Sequence, residues 1–283
     1  MAADSMGPDS GGSDSGGPDS GGSDSVVAGL DEAWTAIRSL LHGLGPDDWR
    51  RPTACAEWDV FGLAAHLAAL EAQFQGLAEP AVPEDPTGGI DAWTAAGVAA
   101  RRGRSPDEVL AELEQASTLQ VERLRSLDAA GWEEQTVGPL GPTTRRGLAE
   151  TRLFDVYLHL LDFRDGLGIP LDPDDEPSAS EAVVERVLGL TPWGAVKKAR
   201  LPDGSRVRLD LAGRGGRLVD VVVEAGRGAL SEPEGDAADT VVGAALAYTL
   251  AVTGRSGPAD AAGGVKADGS AAQQLLDDFR VFG

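Results

Sequence analysis

The run from Leu153 to Phe163, LFDVYLHLLDF, is apolar at eight of eleven positions, and its polar exceptions Asp155, His159 and Asp162 are spaced four and three apart. That is the helical period, so the three share one narrow stripe, which Arg152 extends by a turn. A helix apolar on its other sides is a buried one. Ionisable groups on it cost several kcal/mol unless they are paired or bind a metal. The run Val60 to Leu70, VFGLAAHLAAL, repeats the anomaly on a smaller scale, with His66 as its single ionisable residue.

The same periodicity places these two runs among four helical segments. A first helix spans about Val26 to His42 with Leu30, Trp34, Ile37 and Leu41 on its apolar face, and His42 in the last turn suits the negative helix end. A second follows the N-cap candidate Asp59 and reaches about Leu77, after which a Pro- and Gly-rich loop extends to Asp91. A long third begins at Ser105-Pro106-Asp107-Glu108 and carries Val109, Leu113, Ala116, Leu119, Leu124 and Leu127. The stripe-bearing helix follows Pro142-Thr143-Thr144 as the fourth. Over residues 26–168 this is a four-helix bundle with polar groups projecting into its core.

Beyond Gly168 the pattern changes. Pro170, Pro173 and Pro177 with acidic neighbours mark a linker, and a connecting helix runs from about Ser178 to Leu190, together occupying 169–195. Over 196–283, Ser205 to Leu211 and Arg217 to Val223 read as an antiparallel hairpin, and helices near Val242 to Val252 and Ala271 to Phe279 close a small α/β domain. The expected class is therefore α plus α/β. Residues 1–25 are built on a repeated Pro-Asp-Ser-Gly-Gly unit, from Pro8 and Pro18, that has nothing apolar to bury, as expected of a disordered acidic Gly/Ser/Asp tail.

Asp155 and His159 lie about 6 Å apart along one helix face, and a neighbouring helix roughly 8–10 Å away can contribute His66. Two imidazoles and a carboxylate suit zinc or another divalent metal and leave a coordination position open. The competing reading is structural: a core histidine bonded to a carbonyl, and a local Asp-His hydrogen bond.

Composition narrows the function. A formal charge of −22, of which Asp4, Asp9, Asp14, Asp19 and Asp24 in the tail account for five, excludes nucleic acid and an anionic membrane surface as partners. The single cysteine, Cys55, allows no intrachain disulfide and fits a reducing compartment. No leader pattern or membrane-length apolar run is present, so a cytoplasmic protein is expected. Three lysines among 24 basic residues point to a GC-rich genome of the actinobacterial kind.

Several motifs together resemble the mycothiol-dependent maleylpyruvate isomerase family. They are Trp49, Pro52, Thr53, Cys55 and Trp58 ahead of LAAHLAAL around His66, then R-x-x-D-x-x-x-H-x-x-D at Arg152, Asp155, His159 and Asp162, then Leu167-Gly168. Asp239-Thr240-Val241, a helix ending Gly254-Arg255, and Asp268-Gly269 resemble its appended sterol-carrier-like domain. The resemblance implies a DinB-like metal-binding bundle with zinc on His66, Asp155 and His159, although the family has glutamate where this chain has Asp155. An aspartate is one methylene shorter and ligates only if the helix sits closer or a water intervenes. It further implies mycothiol as thiol cosubstrate and a small-molecule electrophile, attacked by a metal-bound thiolate in isomerisation or S-transfer.

Within that frame Asp162 and Arg152 are candidate catalytic residues, Asp162 orienting a ligand or accepting the thiol proton and Arg152 holding a carboxylate. A plain helix ion pair explains both equally well. Arg255 is a candidate cofactor-binding residue closing the site from the second domain, or else a surface arginine. Arg101, Arg102 and Arg104 form a cluster that meets an acidic substrate or caps a solvated helix end. Cys55 reads as a packing residue, and Trp34, Trp49 and Trp58 read as core or loop anchors. The rival function is a non-catalytic metal- or ligand-binding module, with carriage of an apolar ligand by the C-terminal domain a weaker third. Removing residues 1–25 is expected to leave the fold intact, so thermal melts of full-length and truncated protein should coincide.

Overall fold

The computed structural model describes residues 20–281 apart from 56, 86, 139–140, 172–178 and 256–262. Most of the tail therefore lies outside the described residues. The first helix, α1 (Ser20–His42), starts six residues before the expected Val26. Once the buried face from Val26 through Leu30, Trp34, Ile37 and Leu41 is anchored, each added residue gains a helical hydrogen bond without a new nucleation cost. Helix α2 (Val60–Phe74) is capped by Asp59, whose side chain accepts from the Gly62 amide at 2.8 Å. It ends three residues short of Leu77.

The expected loop to Asp91 gives way two residues early to another helix, α3 (Gly89–Ala99), packed on α2 in a stretch to which the sequence pattern assigned no element. Gly97 permits the approach, because a Cβ there would meet the Ala69 methyl at 2.9 Å. Helix α4 (Pro106–Arg125) has the anticipated start, with a reciprocal capping box between Ser105 and Glu108. A short helix α5 (Ala129–Trp132) and a hairpin of β1 (Gln135–Gly138) and β2 (Gly141–Thr144) then lead into α6 (Arg145–Leu167), capped by Thr144 and stopped by Gly168 at φ 70°. Helices α1, α2, α4 and α6 pack on one another as the bundle.

Helix α7 (Ala179–Lys197) outlasts the expected stop at Leu190 and passes through Pro192. It packs on both α1 and α6, and on the sheet that follows. That sheet has the order β5-β4-β3-β6-β7, formed by β3 (Arg206–Ala212), β4 (Leu218–Glu224), β5 (Arg227–Ser231), β6 (Asp239–Ala244) and β7 (Val265–Asp268). The β3–β4 hairpin is antiparallel as expected, with Val207 opposite Val221 and Leu209 opposite Val219, all buried. Strands β3 and β6 run parallel.

Residues 242–244, expected in a helix, belong to β6, and α8 (Ala245–Val252) begins only afterwards. A continuous apolar run does not reveal where a strand gives way to a helix. The final helix, α9 (Ser270–Asp278), is held at its start by Asp239, which accepts from the Ala271 amide at 2.6 Å. The architecture is thus α plus α/β, with one hydrophobic core running through both parts. No helix among the described residues is long and apolar enough to cross a membrane.

Asp220 on β4 is fully buried and accepts from Arg206 Nη1 at 2.9 Å, from Arg208 Nε and Nη2 at 2.8 and 3.0 Å, and from the Glu234 amide at 3.3 Å. The Arg208 bonds, helped by Arg206 and the amide and opposed by burial, hold its carboxyl down to about 2. A folded pKa below the unfolded value adds stability above the unfolded value and forfeits it as pH falls through the folded one. Asp220→Asn should therefore cost on the order of 1–2 kcal/mol at neutral pH. In urea titrations that difference should vanish as pH falls from about 4 to about 2.

Candidate metal centre

The polar stripe of α6 faces α2 across the bundle. Asp155 and His159 are one turn apart, with Asp155 Oδ1 3.6 Å from His159 Nε2. The His66 ring comes from α2 and stands nearly perpendicular to that of His159, the centroids 5.0 Å apart. One donor atom from each of His66, Asp155 and His159 lies within 4.8 Å of the others. Donors about 2.1 Å from a tetrahedral ion sit roughly 3.5 Å apart, so a modest contraction would bring all three onto one ion.

The structural alternatives fit less well. His66 Nδ1 is buried and has no hydrogen-bond partner, whereas a core histidine would be bonded. At 3.6 Å the Asp155–His159 pair is too long for a hydrogen bond. Burial, together with the neighbouring His159, pushes His66 down to about 3, so the ring is neutral at physiological pH and keeps a lone pair to donate. Burial acts against ionising Asp155, yet His159, Arg152 and His66 bring its carboxyl to about 2.

A layer of charged groups fixes these donors. His159 Nδ1 lies 2.8 Å from Asp162 Oδ2, which leaves Nε2 facing Asp155. Both Asp162 oxygens also accept from Arg255, from Nε at 2.6 Å and Nη2 at 2.7 Å, and Arg255 Nη1 donates to the Thr253 carbonyl. Burial opposes the Asp162 charge, but the bonds from His159 and Arg255 hold its carboxyl below the usual range. Arg152 donates through Nη1 to Asp155 Oδ2 at 2.7 Å and through Nε to Glu71 Oε2 at 3.2 Å. Glu71 is fully buried and accepts from Gln75 as well; burial raises its carboxyl despite these partners.

Two residues near the centre escaped the sequence reading. Trp58, expected to be an anchor, stacks on His66 with centroids 4.4 Å apart and planes 25° apart. Its loop is pinned by Thr53, whose hydroxyl donates to the Trp58 carbonyl at 2.8 Å. The loop presses against α6 at Gly166, where a Cβ would lie 2.6 Å from the Pro52 carbonyl oxygen. Glu71 is the other, and its signal was available: it is the single carboxylate in α2.

The remaining candidates sort differently. Arg101 and Arg104 both bind Glu112, Arg101 at 2.6 Å, so these two are occupied by a structural ion pair, while Arg102 is exposed. Trp34 is buried and donates to Gln120 at 2.8 Å, and Trp49 is buried. The half-buried Cys55 thiol is pushed up to about 11 by burial and then by Asp162, against the opposing Arg255, so it stays protonated and a poor nucleophile.

Comparison with known proteins adds a family. No curated protein matches the chain. Among solved structures, a histidine-to-alanine mutant of the mycothiol-dependent maleylpyruvate isomerase aligns with a TM-score of 0.59, and that isomerase itself with 0.57. Each is 14% identical, over 87% of this chain and 92% of the other, a likeness that speaks for the fold alone. Residues 30–164 match the model of the mycothiol maleylpyruvate isomerase N-terminal domain, a stretch that contains His66, Asp155 and His159 but not Arg255. The helical part of this chain, residues 30–164, belongs to the mycothiol maleylpyruvate isomerase N-terminal domain family.

Proposed function

We propose that the protein is a zinc-assisted, mycothiol-dependent enzyme acting on a small electrophile, as an isomerase or a thiol S-transferase. The observation that carries this reading is the convergence of His66, Asp155 and His159, with an orphaned buried nitrogen on His66, inside the stretch matched by the family. Zinc held by these three residues would keep a coordinating thiol deprotonated at neutral pH.

The chain's own groups have distinct parts in this reading. Asp162 holds the His159 ring through Nδ1, so that Nε2 is the free donor. Arg152 takes Asp155 Oδ2 and leaves Oδ1 beside His159. Arg255 fixes Asp162 from the segment after α8, which makes the α/β part a participant in the geometry of the centre. With both oxygens so engaged, Asp162 is better suited to orienting His159 than to accepting a proton from the thiol. Trp58 covers one face of His66 and keeps water from it. The protonated Cys55 does not compete as a nucleophile, which leaves the thiol to an external cosubstrate.

The non-catalytic rival drew its force from Asp155 standing where the family has glutamate. Its Oδ1 nevertheless lies 3.6 Å from His159 Nε2, about the spacing of two ligands on one tetrahedral ion. That spacing supports the reading in which the shorter aspartate arm still serves as a ligand.

Protein purified without chelator should carry about one zinc per chain, and His159→Ala should lose both the metal and turnover while keeping its helical circular dichroism. Asp155→Glu should retain the metal. Asp162→Asn, which disturbs the His159 ring from behind, should weaken zinc binding by roughly 10–100-fold in chelator competition. The assay offers maleylpyruvate and a panel of electrophiles with and without mycothiol. Thiol-independent turnover, or none from fully zinc-loaded protein across the panel, would overturn the enzymatic reading in favour of the binding module.

A further inference from the structure

A cavity of about 300 Å³ opens where the end of α2, α4, β1 and the first turns of α6 meet. It shares Arg152 with the metal centre but is lined by none of the three donor residues. We propose that this cavity is a separate binding site for a small organic carboxylate with an apolar body.

The argument begins with charge. The chain carries −22, yet among the described residues no acidic side chain lines this cavity, whereas Arg123, Arg145 and Arg152 all do. Arg123 donates to the carbonyl and side-chain oxygens of Gln75, at 2.9 and 3.1 Å, and among the described residues it pairs with no carboxylate. Arg145 pairs with Glu134, an exposed residue outside the lining, and its own side chain is 43% exposed. Both are therefore accessible to an incoming anion.

Arg152 supplies the second observation. Its side chain is 3% exposed, and its Nε and Nη1 are taken by Glu71 and Asp155. Its Nη2 is buried without a partner. A guanidinium nitrogen left unpaired away from water is costly, and a carboxylate is the acceptor whose geometry and charge satisfy it best. The charges of Glu71 and Asp155 are already committed to the other nitrogens of the same group, so Nη2 is the nitrogen left for a ligand, reached once the atoms that cover it give way.

The walls set the rest of the ligand. Phe74, over whose ring the Arg152 guanidinium lies at 5.6 Å, and Leu124, Leu127 and Leu148 give the cavity apolar surface. An inorganic anion would leave that surface unused. A volume of about 300 Å³ is at the small end of ligand pockets, which excludes a polymer and fits a compact acid. The site stands independently of the metal-centre reading, since it needs neither zinc nor a thiol.

Isothermal titration with benzoate and with its neutral isostere benzamide, at fixed ionic strength, tests this on full-length protein, both zinc-loaded and chelator-treated. Benzoate should bind at least about tenfold more tightly than benzamide in both forms, and the double variant R123Q/R145Q should weaken benzoate by about tenfold or more. Arg152 is left intact because it supports Glu71 and Asp155, and thermal melts would establish that the double variant is folded. Benzoate binding no tighter than benzamide, binding unchanged in the double variant, or binding only to the zinc-loaded form would overturn the proposal. Inorganic phosphate binding as tightly as benzoate would also overturn it, because the apolar walls would then contribute nothing.

Discussion

Four ionisable residues on one buried helix face impose the constraint around which this molecule is built. Arg152, Asp155, His159 and Asp162 lie on α6, and a buried charge without a partner costs several kcal/mol. Each is answered by a different neighbour. Glu71 on α2 meets Arg152, Arg255 after α8 meets Asp162, and within the stripe Asp155 pairs with Arg152 and His159 with Asp162. The partners come from opposite ends of the sequence, so satisfying the stripe fixes how α2 and the α/β part sit against α6. Buried ion pairs add little net stability over apolar packing, but breaking one is expensive. They act here as registration devices.

Every charge on the stripe is paired, and the imidazole opposite it is the group left over. His66 lies on an otherwise apolar helix, stacked under Trp58, with Nδ1 unbonded. A fold that answers Asp162 twice and Glu71 twice leaves this nitrogen bare on a residue grouped with two other potential ligands. A structural ion-pair network alone does not account for that bare nitrogen. Desolvation keeps His66 neutral and lets its lone pair remain available.

The helical stripe was legible because its cause is local: period, burial and charge all appear in LFDVYLHLLDF. The caps at Asp59 and Ser105, the start after Thr144 and the end near Gly168 were legible for the same reason. Glu71 and Trp58 were not assigned to the centre, because nothing in their own neighbourhoods says which way α2 turns or where the 52–59 loop lands. That depends on Gly166 admitting the Pro52 backbone, a contact more than 100 residues away in sequence. The switch from strand to helix at Ala245 was hidden for a different reason. VVGAALAYTLAV is without charge and apolar but for Thr249 and the Tyr248 hydroxyl, and the pairing of β6 with β3 and β7 decides what periodicity cannot. Arg101 and Arg104 looked like a substrate-facing cluster because Glu112, which occupies both, lies on the next helix.

The aspartate at position 155 can be understood through Arg152. A glutamate reaches farther but has one more torsion to freeze, and side-chain ordering opposes binding. Asp155 is anchored at Oδ2 by a guanidinium that is itself buried and held by Glu71, so its free oxygen stands near His159 before any ion arrives. In the proposed metal-binding reading, reach is exchanged for preorganisation, which would lower the entropy cost of assembling the shell. The arrangement works only while Glu71 remains charged and in contact with Arg152. A carboxylate on α2 that touches none of the donors therefore governs the position of one of them, through a single shared arginine.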